Sequence, residues 1–119
     1  MGELFLSGNS FLSYPLRIVW KIFGDMPFEV PAQAGFSAPK KLFKHAVDRN
    51  RLKRLMRESY RLHKSALYAA LDQSDQHIAL MMIYIAKEEL PFSKIEPGVI
   101  KAIRKIVGQL NDSIEENKL

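Results

Sequence analysis

Apolar and polar residues alternate between Leu16 and Ile22: Leu16, Ile18, Trp20 and Ile22 fall on one face, Arg17, Val19 and Lys21 on the other. This two-residue period predicts a half-buried strand. Gly24-Asp25 and Pro27 then mark a turn. A second alternating run sets Val30, Ala32, Ala34, Phe36 and Ala38 against Glu29, Gln33, Gly35 and Ser37, and Pro31 puts its beginning at a sheet edge. The two runs are expected to pair as an antiparallel hairpin. Upstream, Phe11 to Tyr14 supplies a further short strand, set off by Gly8-Asn9 from the short piece Glu3 to Ser7.

From about His45 the period lengthens to that of a helix. Leu52, Leu55, Met56, Ser59, His63, Ala66, Leu67 and Ala70 gather on one side as a core-facing seam. The helix is expected to run through Leu71, with Asp72 to Asp75 as a loop. His77 to Ala86 is apolar nearly throughout, as in a strand held centrally in a sheet, with a buried helix as the alternative. A last helix sets Val99, Ile100, Ile103, Ile106, Val107 and Leu110 toward the core. Its start falls at Ser93 to Pro97, through a Ser-x-x-Glu box or a proline in the first helical position. The order is strands, helix, strand, helix, with no internal repeat, and 119 residues suit one domain, 1–119, of α+β class.

Charge changes the picture. Between Lys40 and Lys64 stand ten basic residues and two acids, whereas the rest of the chain carries eight bases and eleven acids. One segment therefore accounts for the whole net charge of +5. On the helix, Asn50, Arg54, Arg57 and Arg61 follow an i, i+4, i+7, i+11 ladder, with Lys53 and Lys64 beside them, opposite the apolar seam. A merely solubilising face mixes signs at i, i+4 spacing, and this one scarcely does. Arginine outnumbers lysine in the ladder, and its planar fork suits bidentate phosphate contact and stacking on bases. The pattern points to a polyanion, nucleic acid first.

Other chemistries find no support in the residues. Cysteine is absent, which removes disulfides, thiolate metal sites and cysteine nucleophiles and fits a reducing, cytoplasmic setting. The three histidines lack ligand spacing, and His63 reads as a packed core residue. No Gly-rich phosphate loop, nucleophile elbow or carboxylate pair occurs, so no catalytic residue is assigned to the chain itself. No signal peptide or membrane segment is expected, and the face opposite the charges is needed for the core, so it is not free to enter lipid. Trp20 and Phe36 read as core. Phe5, Phe11 and Tyr14 show no burial pattern, which leaves packing and stacking on unpaired bases both open.

The run Arg49-Asn50-Arg51-Leu52-Lys53-Arg54-Leu55-Met56-Arg57-Glu58, preceded by Phe36-Ser37-Ala38-Pro39-Lys40-Lys41, closely resembles the signature of the bacterial ribonuclease P protein component. Leu4-Phe5 with Gly8, the apolar run at His77 to Ala86 and the terminal helix fall in that family's order. The resemblance implies a small two-layer α/β sandwich of αβββαβα order with a left-handed βαβ crossover, where general chain sterics alone favour the right-handed one. It implies an accessory subunit of an endoribonuclease: the catalytic RNA and divalent cations, expected to be Mg2+, remove the 5′ leader from precursor tRNA, and no obligate protein partner is needed. Carried over by position, Arg49, Asn50, Arg51, Lys53, Arg54 and Arg57 contact the catalytic RNA or organise metal near it. Lys40 and Lys41 match the basic pair after the strand, and Arg61 extends the ladder. Phe5 matches an aromatic of the leader cleft, to which the polar strand face adds Arg17 and Lys21.

The family usually opens with a basic segment and a full first helix. Here Met1-Gly2-Glu3-Leu4-Phe5 matches the end of that helix, so a shortened first helix is expected, and Val19 stands near the place of a cleft aromatic. A general RNA chaperone or ribosome-associated RNA binder is the alternative that the same stripe allows. A helix-turn-helix DNA reader is disfavoured, because no short second helix precedes the basic one.

Overall fold

The computed structural model describes residues 9–23, 31–74 and 76–117. Four strands and two helices follow in the order β1 (Asn9–Ser13), β2 (Leu16–Phe23), β3 (Ala32–Ser37), α1 (Ala46–Ser74), β4 (His77–Tyr84) and α2 (Phe92–Asn117). The fold is α+β, with a four-stranded sheet ordered β1-β2-β4-β3. The expected first helix, Phe5 and the turn at Gly24-Asp25 and Pro27 lie outside the described residues.

The expected β2–β3 hairpin does not form. β4 lies between them, antiparallel to β2 with Leu16 opposite Tyr84 and parallel to β3 with Phe36 opposite Met82. Alternation in β2 and β3 reports which face each strand buries and carries no information about its neighbour. β4 takes the centre because both its faces are apolar: Ile78, Leu80, Met82 and Tyr84 are buried, while Ala79, Met81 and Ile83 on the other face are half-buried. β3 remains at an edge, as Pro31 predicts, and the parallel β3–β4 pair is joined across the sheet by α1.

Both helices cover one face of the sheet. Leu16, Ile18 and Trp20 of β2 and the buried residues of β4 meet Leu52, Met56, Tyr60, Leu67 and Leu71 of α1 and Ile95, Val99, Ile103, Ile106 and Leu110 of α2. Each such aliphatic side chain contributes about 1.5–3 kcal/mol of burial. The seam of α1 departs from the expected set in detail. Tyr60 and Leu71 belong to it, Leu55 and His63 are half-buried, and Ala66 is exposed. The helix also continues through Asp72 to Ser74, residues expected as loop. His63 Nε2 lies 2.9 Å from the Glu96 carboxylate of α2, so this residue ties the helices together at the rim of the core instead of packing within it.

The first turn of α2 closes on Pro91, whose carbonyl accepts from the N–H groups of Lys94 and Ile95. Ser93 and Pro97 thus lie inside the helix, and the missing N–H of Pro97 removes one intrahelical bond. Gly98 follows because a side chain there has no room: a Cβ would stand 2.8 Å from the Tyr14 carbonyl oxygen and 3.0 Å from that of Ser13. The Ser13 hydroxyl donates to the Gly98 carbonyl at 2.6 Å, fastening the β1–β2 turn to α2. The far edge is sealed by Lys105, whose ammonium sits 4.5 Å from the centre of the Phe11 ring.

Candidate nucleic-acid interface

α1 positions the cationic side chains by its pitch. With Leu52, Met56 and Ser59 fully buried and Leu55 packed against the core, the helical pitch carries Arg54 and Arg57 to the outward side. Asn50, Arg51, Lys53, Arg54 and Arg57, with Val47, line an open concavity of about 550 Å³ along the helix. Among the described residues no carboxylate pairs with Lys53, Arg54 or Arg57. Arg57 instead stands 5.6 Å from the centre of the Phe36 ring, which meets Tyr60 edge-on at 5.8 Å. The guanidinium is thereby steadied by an aromatic base while its N–H groups stay available. Burial, reinforced by neighbouring Tyr68, pushes the Tyr60 phenol up, so the floor beneath the stripe stays neutral at physiological pH.

The remaining residues of the sequence-derived set divide. Arg49 turns back, donating to the carbonyls of Phe43 at 2.8 Å and Lys44 at 2.9 Å. It thereby locks the turn in which Leu42 and Phe43 both donate to Pro39, just before the helix. Arg51 reaches Glu89 at 3.4 Å, and Arg61 forms a two-point pair with Glu58 one turn earlier on the same helix. That pair holds the Glu58 carboxyl below its ordinary range. Lys40 and Lys41 are exposed on the turn after β3. Lys64 lies 5.2 Å from the Tyr68 ring centre. Val47 was missed by sequence reasoning. It is 77% exposed within the cationic row, an apolar tip detectable only as a residue one turn before Asn50.

A second surface is the sheet face away from the helices. Register brings Leu12, Arg17 and Ile83 into one row, and Lys21 and Ala79 into another, with Val19 and Met81 between. Arg17 is exposed and Lys21 half-buried, whereas Leu12 is 62% exposed. Arg17 and Lys21 therefore share a face with each other but not with the stripe on α1. Phe5 lies outside the described residues.

A protein-family model described as Ribonuclease P matches residues 2–107. A ribonuclease P protein component of Porphyromonas gingivalis is 36% identical over 119 residues, spanning 99% of this chain and 85% of that protein. Another, from Chlorobium phaeobacteroides, is 40% identical over 92 residues, 71% of this chain and 63% of that one. The RNase P protein of Thermotoga maritima shares the fold with a TM-score of 0.66 at 19% identity, over 86% of each chain. That of Staphylococcus aureus does so with a TM-score of 0.59 at 24% identity, over 88% of this chain and 85% of the other. The signature on α1, the family match and the near full-length relative agree, and the chain belongs to the ribonuclease P protein family, the accessory protein component of that ribonuclease.

Proposed function

We propose that the chain binds the catalytic RNA of ribonuclease P through the outward row of α1 and helps it remove the 5′ leader from precursor tRNA in the cytoplasm. The observation that carries this reading is the row itself: Lys53, Arg54 and Arg57 project from a helix whose other side is committed to the core, with no carboxylate against them among the described residues. Such cations gain most from phosphates, because each phosphate they neutralise releases condensed counterions. Lys40 and Lys41 extend the same field from the turn after β3. The helix-free sheet face, with Arg17 and Lys21 around an apolar floor of Met81 and Ile83, suits the unpaired leader, which needs no groove to be read.

In this reading the chemistry belongs to the RNA, and the protein raises affinity and stabilises the active RNA fold. The donor set of the described residues does not fit a protein-held divalent cation. No group of three or more His, Asp or Glu side chains stands together among them, and Glu58 and Glu89 are taken by Arg61 and Arg51. In the proposed reading, magnesium is held by the RNA phosphates. Among the described residues no helix is long and apolar enough to cross a membrane.

Reconstitution with a bacterial ribonuclease P RNA at low magnesium tests the reading. Added protein is expected to restore cleavage of a leader-bearing precursor. RNA binding without restored cleavage would instead support a general RNA chaperone.

A further inference from the structure

Tyr14 is the feature that neither the core nor the cationic row absorbs. It sits in the turn between β1 and β2 and is 67% exposed, and no hydrogen bond to its hydroxyl occurs among the described residues. Its backbone is nonetheless held from three sides. The Ser13 hydroxyl bonds the Gly98 carbonyl, Gly98 packs directly under the Ser13 and Tyr14 carbonyls, and the Ile85 N–H donates to the Pro15 carbonyl at 2.9 Å. A large ring is thus presented to solvent on a rigid mount, which lowers the entropy lost when something stacks on it.

Opposite the ring, the chain leaving β4 forms the other wall of an open concavity of about 410 Å³, lined by Tyr14, Ile85, Ala86, Lys87 and Glu88. That wall is also fixed. The buried Tyr84 hydroxyl donates to the Glu88 carbonyl at 2.6 Å and accepts from the Leu90 N–H at 2.9 Å. Burial pushes the Tyr84 phenol up, so it remains a donor at neutral pH. The lining combines an aromatic face, a short apolar floor, one ammonium and one carboxylate. The pocket also adjoins the cationic row, because Arg51, which lines that row, contacts Glu89, the residue after Glu88.

We infer that Tyr14, Lys87 and Glu88 form a pocket for a single unpaired RNA nucleotide, its base stacked on the Tyr14 ring. Lys87 meets the phosphate, and the Glu88 carboxylate accepts from the base edge, favouring guanine, whose adjacent imino and amino hydrogens a carboxylate takes together. The inference rests on the RNA-binding reading above. The nucleotide belongs either to the leader or to an unpaired loop of the catalytic RNA, and the chemistry is the same for both.

The test measures affinity for the catalytic RNA alone and, with the reconstituted holoenzyme, for leader-bearing precursor and mature tRNA. Tyr14→Ala is expected to weaken binding by roughly 5- to 150-fold. A loss confined to the leader-bearing precursor assigns the nucleotide to the leader, and a loss toward the catalytic RNA assigns it there. Tyr14→Phe keeps the ring and is expected to stay within about threefold of the parent in the same assays. Unchanged binding by Tyr14→Ala, or equal losses for the Ala and Phe variants, overturns the pocket. Glu88→Gln is expected to abolish a preference for guanine at the contacted position, and an unaltered preference removes Glu88 from it. A Lys53→Ala, Arg54→Ala, Arg57→Ala variant run alongside separates the two proposals. If it binds RNA like the parent, the RNA-binding reading itself fails; if its binding falls while that of Tyr14→Ala does not, only the pocket does.

Discussion

Two groups of cations on α1 share one basic run of sequence and differ in space. Lys53, Arg54 and Arg57 have no carboxylate partner among the described residues, whereas Arg49, Arg51 and Arg61 are spoken for by two main-chain carbonyls, Glu89 and Glu58 respectively. The difference follows from what each residue meets in the folded chain. Arg49 lies one turn into the helix and finds the carbonyls of the approaching turn. Arg61 has an acid three residues earlier, and Arg51 faces the loop after β4. A basic signature thus divides into residues already engaged by carbonyls or carboxylates of the protein and residues that no carboxylate meets among those described.

The largest effect is expected from removing the open group. Lys53→Ala, Arg54→Ala and Arg57→Ala together should weaken binding to the catalytic RNA on the order of 100-fold or more at low salt. They should also flatten the log–log salt dependence by about 0.7–0.9 for each phosphate that is no longer neutralised. An unaltered salt slope in a titration would place the row outside the interface. Arg49→Ala should show the opposite profile, a loss of about 1–2 kcal/mol in denaturant unfolding with little change in salt slope, because two charge-assisted hydrogen bonds at a partly exposed site disappear. Arg51→Ala should lie between them. Its ion pair is half-exposed and worth about 0–1 kcal/mol, so stability hardly moves, while RNA affinity falls by roughly three- to tenfold.

The smallest effect sharpens the contrast most. Glu58→Gln releases Arg61 into the open group and should tighten RNA binding by up to about threefold. Acid should do the same. Arg61 depresses the Glu58 pKa, so whatever stability the pair contributes is present above the ordinary glutamate value and is lost as pH falls through the lowered one. Between pH 6 and 8 the parent and the Gln variant should therefore differ by a constant factor, readable in equilibrium binding.

The division of labour between the faces of α1 was legible in advance because a helix converts spacing into direction, and the outward ladder needed only its pitch. Arg49 fell outside that rule, since its partners are main-chain carbonyls that no side-chain pattern announces. Strand existence was likewise legible, down to the edge placement of β3 from Pro31, though the first strand runs Asn9–Ser13 and leaves Tyr14, expected within it, in the turn. Strand neighbours were not. The β2–β3 hairpin was the local choice, and β4 displaced it by being apolar on both faces, a property of a segment about forty residues further along. His63 illustrates the same limit. Its place on an apolar seam was visible, but Glu96 stands across from it only once α1 and α2 are packed.

The central position of β4 also bears on how the chain comes into being. While synthesis has reached only α1, β2 and β3 each lack their shared neighbour, and two strand edges stand open with their N–H and C=O groups unpaired. Assembly must wait for residues 77–84 to leave the ribosome and slot between strands made long before. The finished domain therefore arises late, once both β4 and the core-facing side of α2 have been made.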